Sequence, residues 1–311
     1  CELELILKHI MRIEGSWPAI VTPYDKNGDV HLDTFNQLID FHIAHQSSGL
    51  LVMGSTGEST QLSLSERKDI ISHVSDYSRS KMPILFGCTC STLSDTISLA
   101  THAEEVGSFG IVLIVPPYIK PPQEAVFEFF KQVAESVDLP IAIYNNPTRV
   151  GVNIPPELMV SLSKIENIIA DKEAIPNVSQ IQEIQNNTAD DFSILCCDYP
   201  GYSLILPTLA LGGSGTANVA GNIIPEEMAQ LSKPWGDKND AIEAKKLYFE
   251  ILPILKLLYS VSNPVPVKAA VNLLGFDVGN PRPPLPTFSG NKLTELTTLL
   301  KNTGYLDKYS Q

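Results

Sequence analysis

The sequence has few basic residues and no long apolar run, and each of these absences excludes a class of protein. Its 22 lysines and arginines are outnumbered by 35 acidic residues, which gives a formal net charge of −13. A surface this acidic repels phosphate backbones and anionic lipid headgroups. The longest apolar runs, 110–117 and 139–144, fall far short of the about 20 residues that cross a bilayer. We therefore expect neither nucleic acid nor a membrane as a partner, which leaves small metabolites.

Cysteine is scarce and forms no recognisable motif. The chain has five, Cys1, Cys88, Cys90, Cys196 and Cys197, an odd number with no C-x-x-C pair and no histidine at ligand spacing. Neither a zinc site nor a disulfide framework is indicated. The cysteines are interpreted as reduced thiols, which predicts a cytoplasmic protein.

The first ten residues lack the features of a secretory signal. They have no basic start, no long apolar stretch and no small-residue cleavage site. We expect Met11 to be the native start and residues 1–10 to be an N-terminal extension outside the fold.

Signatures of dinucleotide and metal sites are also missing. No G-x-G-x-x-G follows a predicted strand, and the glycine cluster at 212–215 leads into a strand rather than a helix. The six histidines lie outside the predicted strand ends. His42 and His45 share a helical face, but no third ligand accompanies them. We predict no metal and no cofactor.

Short apolar runs rich in valine and isoleucine alternate with segments of helical periodicity from residue 15 to about 220. This alternation is typical of repeated β-α units with a parallel sheet, and eight cycles close a barrel. The fold class is therefore α/β, a (β/α)8 TIM barrel. The predicted strands are 17–22, 50–53, 84–86, 110–115, 141–144, 168–170, 193–195 and 215–217.

Strand signals stop after Pro225. Segments 240–259, 264–274 and 291–302 have helical patterns and predict a three-helix appendage at the C-terminus. We divide the chain into a barrel over 11–235, which carries the active site, and a C-terminal helical domain over 236–311.

Functional side chains of such a barrel come from the C-terminal ends of the strands. Lys172 follows the apolar run 168–170. Apolar walls there disfavour the ammonium form and lower the pKa of the amine, and such an amine forms Schiff bases with carbonyl substrates. The same spacing fits a lysine that extends from the rim or pairs with Asp171 or Glu173.

Other strand ends carry further candidates, each with a structural alternative. Tyr144 ends the fifth strand and could relay protons, or could pack on the rim. The turn 54–58, which contains Gly54, Ser55 and Thr56, suits a small carboxylate, or could cap a helix. Arg149 could clamp a second carboxylate bidentately, or could be solvated.

Together these residues strongly resemble the dihydrodipicolinate synthase and N-acetylneuraminate lyase superfamily of Schiff-base-forming barrels. The likeness runs from about Ile13 to Leu306. Its blocks are 18–23 (PAIVTP), 54–58 (GSTGE), 116–118 (PPY) with 122–124 (PQE), 144–147 (YNNP), 172–174 (KEA) and 263–268 (NPVPVK).

The resemblance implies a role for each candidate. Lys172 would form the imine with pyruvate, and Tyr144 would relay protons. Ser55 and Thr56 would hold the pyruvate carboxylate and complete the relay, with Gly54 in the same turn, while Ala217 would line the pocket. The imine is the electron sink, so no cofactor is implied. Family resemblance also implies a homotetramer built as a dimer of dimers.

The resemblance is closest to the synthase branch, whose members condense pyruvate with aspartate semialdehyde. Arg149 stands where synthases bind the carboxylate of that aldehyde, and neuraminate lyases usually lack it. Two departures keep an alternative open: Ser55 replaces the usual threonine, and Tyr118 is the one tyrosine where synthases carry two.

Tyr118 is a candidate for the catalytic hydroxyl that one synthase subunit supplies to its neighbour. The alternative function is an aldolase of 2-oxo-3-deoxy sugar acids, N-acetylneuraminate or 4-hydroxy-2-oxoglutarate. A third, disfavoured by Lys172 and Tyr144, is a non-catalytic sensor of 2-oxo acids.

Overall fold

Eight short parallel strands follow the apolar runs of the sequence. The computed structural model describes residues 12–311, so the proposed extension 1–10 lies outside the described residues. The strands are β1 (Gly15–Pro18), β2 (Leu50–Val52), β3 (Ile84–Gly87), β4 (Gly110–Ile114), β5 (Ile141–Asn145), β6 (Ile168–Glu173), β7 (Ser193–Cys197) and β8 (Gly215–Asn218).

The strands form one sheet in the order β1-β8-β7-β6-β5-β4-β3-β2. A parallel bridge between Ala19 and Leu51 joins its two ends, and the Ile20 amide donates to the Leu51 carbonyl at 3.0 Å. Because alternate side chains of a strand point to opposite faces, one apolar cluster that includes Trp17 and Ala142 fills the barrel. A larger cluster lies between strands and helices. The predicted (β/α)8 barrel is confirmed.

Helices cover the outside of the barrel. Proline opens several of them, as at Pro156 and Pro225, because its fixed φ suits the first turn. The barrel helices are α1 (Leu32–Ala44), α2 (Leu64–Ser78), α3 (Leu93–Glu105), α4 (Gln123–Ala134), α5 (Pro147–Val150), α6 (Pro156–Leu162), α7 (Val178–Asn187), α8 (Ile205–Ala210) and α9 (Pro225–Leu231).

The predicted bounds of several strands were wrong, most clearly in β6. That strand was predicted to end at Ala170, but it continues through Glu173. Its polar residues remain in the ladder, where 171–173 pair in register with 143–145 of β5. β1 also begins and ends earlier than predicted, at Gly15 and Pro18.

Four helices follow α9 rather than the three predicted. They are α10 (Lys238–Leu258), α11 (Val265–Leu273), α12 (Gly290–Asn302) and the short α13 (Tyr305–Tyr309). α10 begins two residues before the predicted start because Asp237 and Asp240 form a capping box. The proposed domain boundary at residue 235 lies between α9 and α10.

Candidate active site

Lys172 lies within β6, inside the mouth of the barrel. In the ladder it is opposite Tyr144 of β5 and Leu195 of β7. Its side chain is 7% exposed, and Nζ lies 4.0 Å from the centre of the Tyr144 ring. Burial disfavours the ammonium form and lowers the pKa of Lys172, although Cys197 and Asp198 act in the opposite direction. Lowering the pKa makes more of the neutral, nucleophilic amine available.

The acidic neighbours of Lys172 do not pair with it. Glu173 accepts hydrogen bonds from the side chains of Asn145 and Gln180. Both carboxylate oxygens of Asp171 are buried without a hydrogen-bond partner among the described residues. Burial raises the pKa of Asp171 well above its ordinary value and that of Glu173 to about 7. The alternative in which Lys172 serves as their ion-pair partner is therefore wrong.

Tyr144 presents its phenol to the same space. The side chain is 8% exposed, and burial raises its pKa well above the ordinary value. The phenol oxygen accepts a hydrogen bond from Nδ2 of Asn146 at 2.6 Å. A buried, hydrogen-bonded phenol beside an amine is suited to move protons.

The turn after β2 forms another wall of the site. Ser55 and Thr56 line the cavity, and the Thr56 hydroxyl accepts a hydrogen bond from Nδ2 of Asn263 at 2.9 Å. A Cβ at Gly57 would lie 2.9 Å from the backbone nitrogen of Met53, so this tight turn requires glycine. The turn does not cap an α-helix, because a 3-10 turn follows it and α2 begins only after its own cap, Ser63.

These elements enclose a cavity of about 400 Å³. Six predicted residues line it: Lys172, Tyr144, Ser55, Thr56, Arg149 and Ala217. Gly54 lines an adjoining cavity of about 320 Å³, which shares Ser55, Tyr144 and Arg149 with the first. Tyr118 is not brought to either cavity within the single chain, and its side chain is 93% exposed.

Arg149 lines the cavity and is exposed to solvent. It belongs to the short helix α5, which Pro147 begins, and its Nη2 donates to the carbonyl of Asn263 at 3.5 Å. It forms no ion pair with a carboxylate of the described chain. Its guanidinium can therefore accept a carboxylate of a substrate.

Sequence reasoning left several residues in and behind the cavity without a role. Asp198, which is buried behind the cavity wall, accepts hydrogen bonds from the Tyr259 hydroxyl at 2.5 Å and from the backbone amides of Val219 and Ala220. It therefore fixes the turn after β8 against the C-terminal helices. Cys197 lines the cavity, and burial raises the pKa of its thiol to about 11. Asn146 and Asn263 fell inside the recognised blocks 144–147 and 263–268, which is the signal that could have found them.

Residues 12–311 contain neither a cluster of metal-ligating side chains nor a membrane-spanning helix. No group of three or more histidine, cysteine, aspartate or glutamate side chains in this part of the chain could hold a metal ion. No helix there is long and apolar enough to cross a membrane.

Fold and site together define a (β/α)8 barrel with a buried lysine and a tyrosine at its mouth, which is the arrangement of a Schiff-base-forming lyase. A model of the dihydrodipicolinate synthetase family matches residues 12–303. The chain belongs to this family and is an enzyme of the pyruvate-dependent lyase class.

Two curated relatives at about 35% identity carry the same name. The chain is 35% identical over 294 residues to 4-hydroxy-tetrahydrodipicolinate synthase of Methanococcoides burtonii, a match covering 94% of this chain and 99% of that protein. It is 36% identical over 281 residues to the synthase of the same name from Caldicellulosiruptor saccharolyticus, covering 89% and 92%. The crystal structure of dihydrodipicolinate synthase from Aquifex aeolicus matches with a TM-score of 0.87 at 34% identity, covering 94% of this chain and 99% of that one.

Proposed function

We propose that this enzyme condenses pyruvate with aspartate semialdehyde to form 4-hydroxy-tetrahydrodipicolinate, through an imine on Lys172. The observation that carries the proposal is the Lys172 amine, buried without a carboxylate partner and facing Tyr144 in one cavity. The relatives named above support the choice of product.

The first half of the reaction uses pyruvate alone. The Lys172 amine attacks the ketone carbon, and the resulting hydroxyl leaves as water when Tyr144 supplies a proton. Loss of a methyl proton from the imine then gives an enamine. Ser55 extends the proton relay, and the Ser55–Thr56 turn holds the pyruvate carboxylate. The imine accepts the electron pair, so this step needs no further group.

The second half uses the aldehyde. The enamine carbon attacks the aldehyde carbon, and the aldehyde oxygen takes up a proton. The amine of the substrate then attacks the imine carbon, which closes the ring and releases Lys172. Overall, one water is lost. Arg149, an exposed residue of the cavity lining, binds the carboxylate of the aldehyde.

Steady-state assays with pyruvate and aspartate semialdehyde test this choice. We expect condensation, with a rate that saturates as the concentration of either substrate is raised. No condensation with aspartate semialdehyde, alongside turnover of another 2-oxo acid, would overturn it.

One observation favours an aldolase of hydroxylated 2-oxo acids as the second candidate. Three tyrosines, Tyr199, Tyr202 and Tyr259, line the cavity, with ring centres 4.6 and 5.0 Å from Tyr199. The Tyr259 hydroxyl already donates to Asp198, so the hydroxyls of Tyr199 and Tyr202 are the ones that suit a polyhydroxylated chain. Cleavage of 2-oxo-3-deoxy sugar acids, N-acetylneuraminate or 4-hydroxy-2-oxoglutarate by the same preparation would identify it.

Tyr118 is proposed to reach the site of a neighbouring subunit in a homotetramer built as a dimer of dimers. Its side chain is 93% exposed and the adjacent Ile119 is 63% exposed, and such exposed apolar groups favour burial against a partner. Light scattering should show a tetramer, and Tyr118→Phe should lower kcat. A fully active monomer would exclude this role.

The cellular site is proposed to be the cytoplasm. Cys88, Cys90, Cys196 and Cys197 are free thiols, as is usual in a reducing compartment. Fractionation of the source cells tests the proposal.

A further inference from the structure

Asn146 lies two residues beyond Tyr144 and lines the same cavity. It is 7% exposed, and both ends of its amide have a partner. Nδ2 donates to the phenol oxygen of Tyr144 at 2.6 Å, and Oδ1 accepts from the Thr148 hydroxyl at 2.6 Å. The first residue of α5 is proline, and Asn146 precedes it without capping the helix through its side chain. Its amide is therefore committed to Tyr144 and Thr148.

The direction of this hydrogen bond has a chemical consequence. Since the Tyr144 oxygen accepts from Asn146, the hydroxyl proton of Tyr144 is left to point toward another acceptor in the cavity, where the Cys197 thiol lies within hydrogen-bonding reach of the phenol. Hydrogen bonds to charged groups are shorter and stronger than bonds between neutral ones. The bond from Asn146 therefore strengthens when the phenol loses its proton, and it lowers the pKa of Tyr144 against the rise that burial causes.

We propose that Asn146 is a positioning residue for Tyr144, which directs the phenol proton into the cavity and stabilises the phenolate while protons move to and from the pyruvate imine. The phenol gives its proton to the departing hydroxyl, so that water leaves. The phenolate then takes a methyl proton from the imine to give the enamine. This inference rests on the proposed function of Tyr144.

Exchange of the pyruvate methyl protons in deuterated water tests the inference without any aldehyde. The enamine takes up a deuteron when it returns to the imine, so the rate measured by NMR reports proton transfer alone. Asn146→Leu should lower the exchange kcat by about 10- to 100-fold, the range expected for a lost hydrogen bond to a charged group. The KM for pyruvate should change little.

Two further variants separate positioning from a purely structural role. In the Tyr144→Phe background, Asn146→Leu should have no further effect, because the atom through which it acts is gone. Asn146→Asp keeps the shape but offers an acceptor in place of the donor. It should slow exchange as well and move the pH profile of exchange toward a higher apparent pKa. Asn187→Leu, at the exposed C-terminal end of α7 and outside the lining of both cavities, is the matched control and should exchange at the wild-type rate.

Each failure has its own signature. Exchange by Tyr144→Phe at the wild-type rate would overturn the proposed role of Tyr144. The role of Asn146 alone would be overturned if Tyr144→Phe exchanges slowly while a folded Asn146→Leu or Asn146→Asp exchanges at the wild-type rate. The role of Asn146 would also be overturned if Asn146→Leu lowers the exchange rate by the same factor in the wild-type and Tyr144→Phe backgrounds. That result would show that the asparagine acts independently of the phenol.

Discussion

Nζ of Lys268 lies 2.8 Å from Oε1 of Glu58, and neither side chain is more than 1% exposed. The second oxygen of Glu58 accepts from the Arg282 amide at 2.8 Å, and the Lys268 ammonium lies 3.8 Å from the centre of the Tyr24 ring. Glu58 ends the turn that carries Ser55, whereas Lys268 belongs to α11. The C-terminal helices therefore hold one wall of the active site in place.

Lys268→Met should destabilise the protein by about 3–5 kcal/mol, because it leaves the Glu58 carboxylate buried and unpaired. Urea unfolding measures the change. Addition of Glu58→Gln to Lys268→Met removes the orphaned charge and should recover part of the loss. If the double variant is less stable than Lys268→Met, the pair does not act as described.

The buried acids of β6 predict stability that falls with rising pH. The pKa of Glu173 is raised to about 7 from 4.5, and that of Asp171 is raised well above 3.8. Between the unfolded and the folded pKa of each acid, the folded chain keeps a proton that the unfolded chain has released. The contribution of these two acids to the free energy of unfolding is therefore largest below their unfolded pKa values, and it is lost as pH rises through their folded pKa values.

Asp171→Val removes the acid that has no partner and introduces a residue that favours strands. We expect a gain in the free energy of unfolding that is larger at about pH 8 than at about pH 5. Asp190→Val, at an exposed position, is the control and should show no such difference. An equal effect of Asp171→Val at both pH values would contradict a raised pKa.

Arg149→Lys should weaken use of the aldehyde while leaving chemistry on pyruvate intact. Lysine keeps the charge but loses the planar fork that binds a carboxylate bidentately. The KM for aspartate semialdehyde should rise by about 10-fold or more, since bonds to charged groups are worth about 1.5–3 kcal/mol. The rate of methyl-proton exchange should remain that of wild type. A KM that does not change would show that Arg149 does not bind this substrate.

Thr56→Val and Ser55→Ala should separate binding from proton transfer. Thr56→Val removes the hydroxyl held by Asn263, and we expect chiefly a raised KM for pyruvate. Ser55→Ala removes a member of the relay, so kcat should fall by about 100-fold or more, as is typical for general acid–base groups. Steady-state kinetics with pyruvate varied distinguish the two, and the reverse pattern would exchange their roles.

The barrel could be predicted from the sequence because its strands are buried on both faces and appear as separate apolar runs. The extension of β6 could not, because Asp171, Lys172 and Glu173 are polar residues that signal a strand end. They stay in the ladder through pairing with β5, a contact between segments that are far apart in sequence.

The positions of Lys172 and Tyr144 near the ends of β6 and β5 could be predicted from the strand pattern. Contacts with a partner that is distant in the sequence could not. Asn263 reaches Thr56 across 207 residues, and no local pattern shows such a contact. Tyr118 remains a prediction about an assembly, because within one chain it lies outside the cavity.

Borohydride trapping of the purified protein with pyruvate, followed by mass mapping, tests whether Lys172 forms the imine. A pyruvate-sized adduct should appear on Lys172, and none should appear in Lys172→Ala. Because the pKa of Lys172 is lowered, trapping should extend to lower pH than an ordinary lysine allows. A folded wild-type protein without an adduct, or an adduct that persists in Lys172→Ala, would contradict the Schiff-base mechanism.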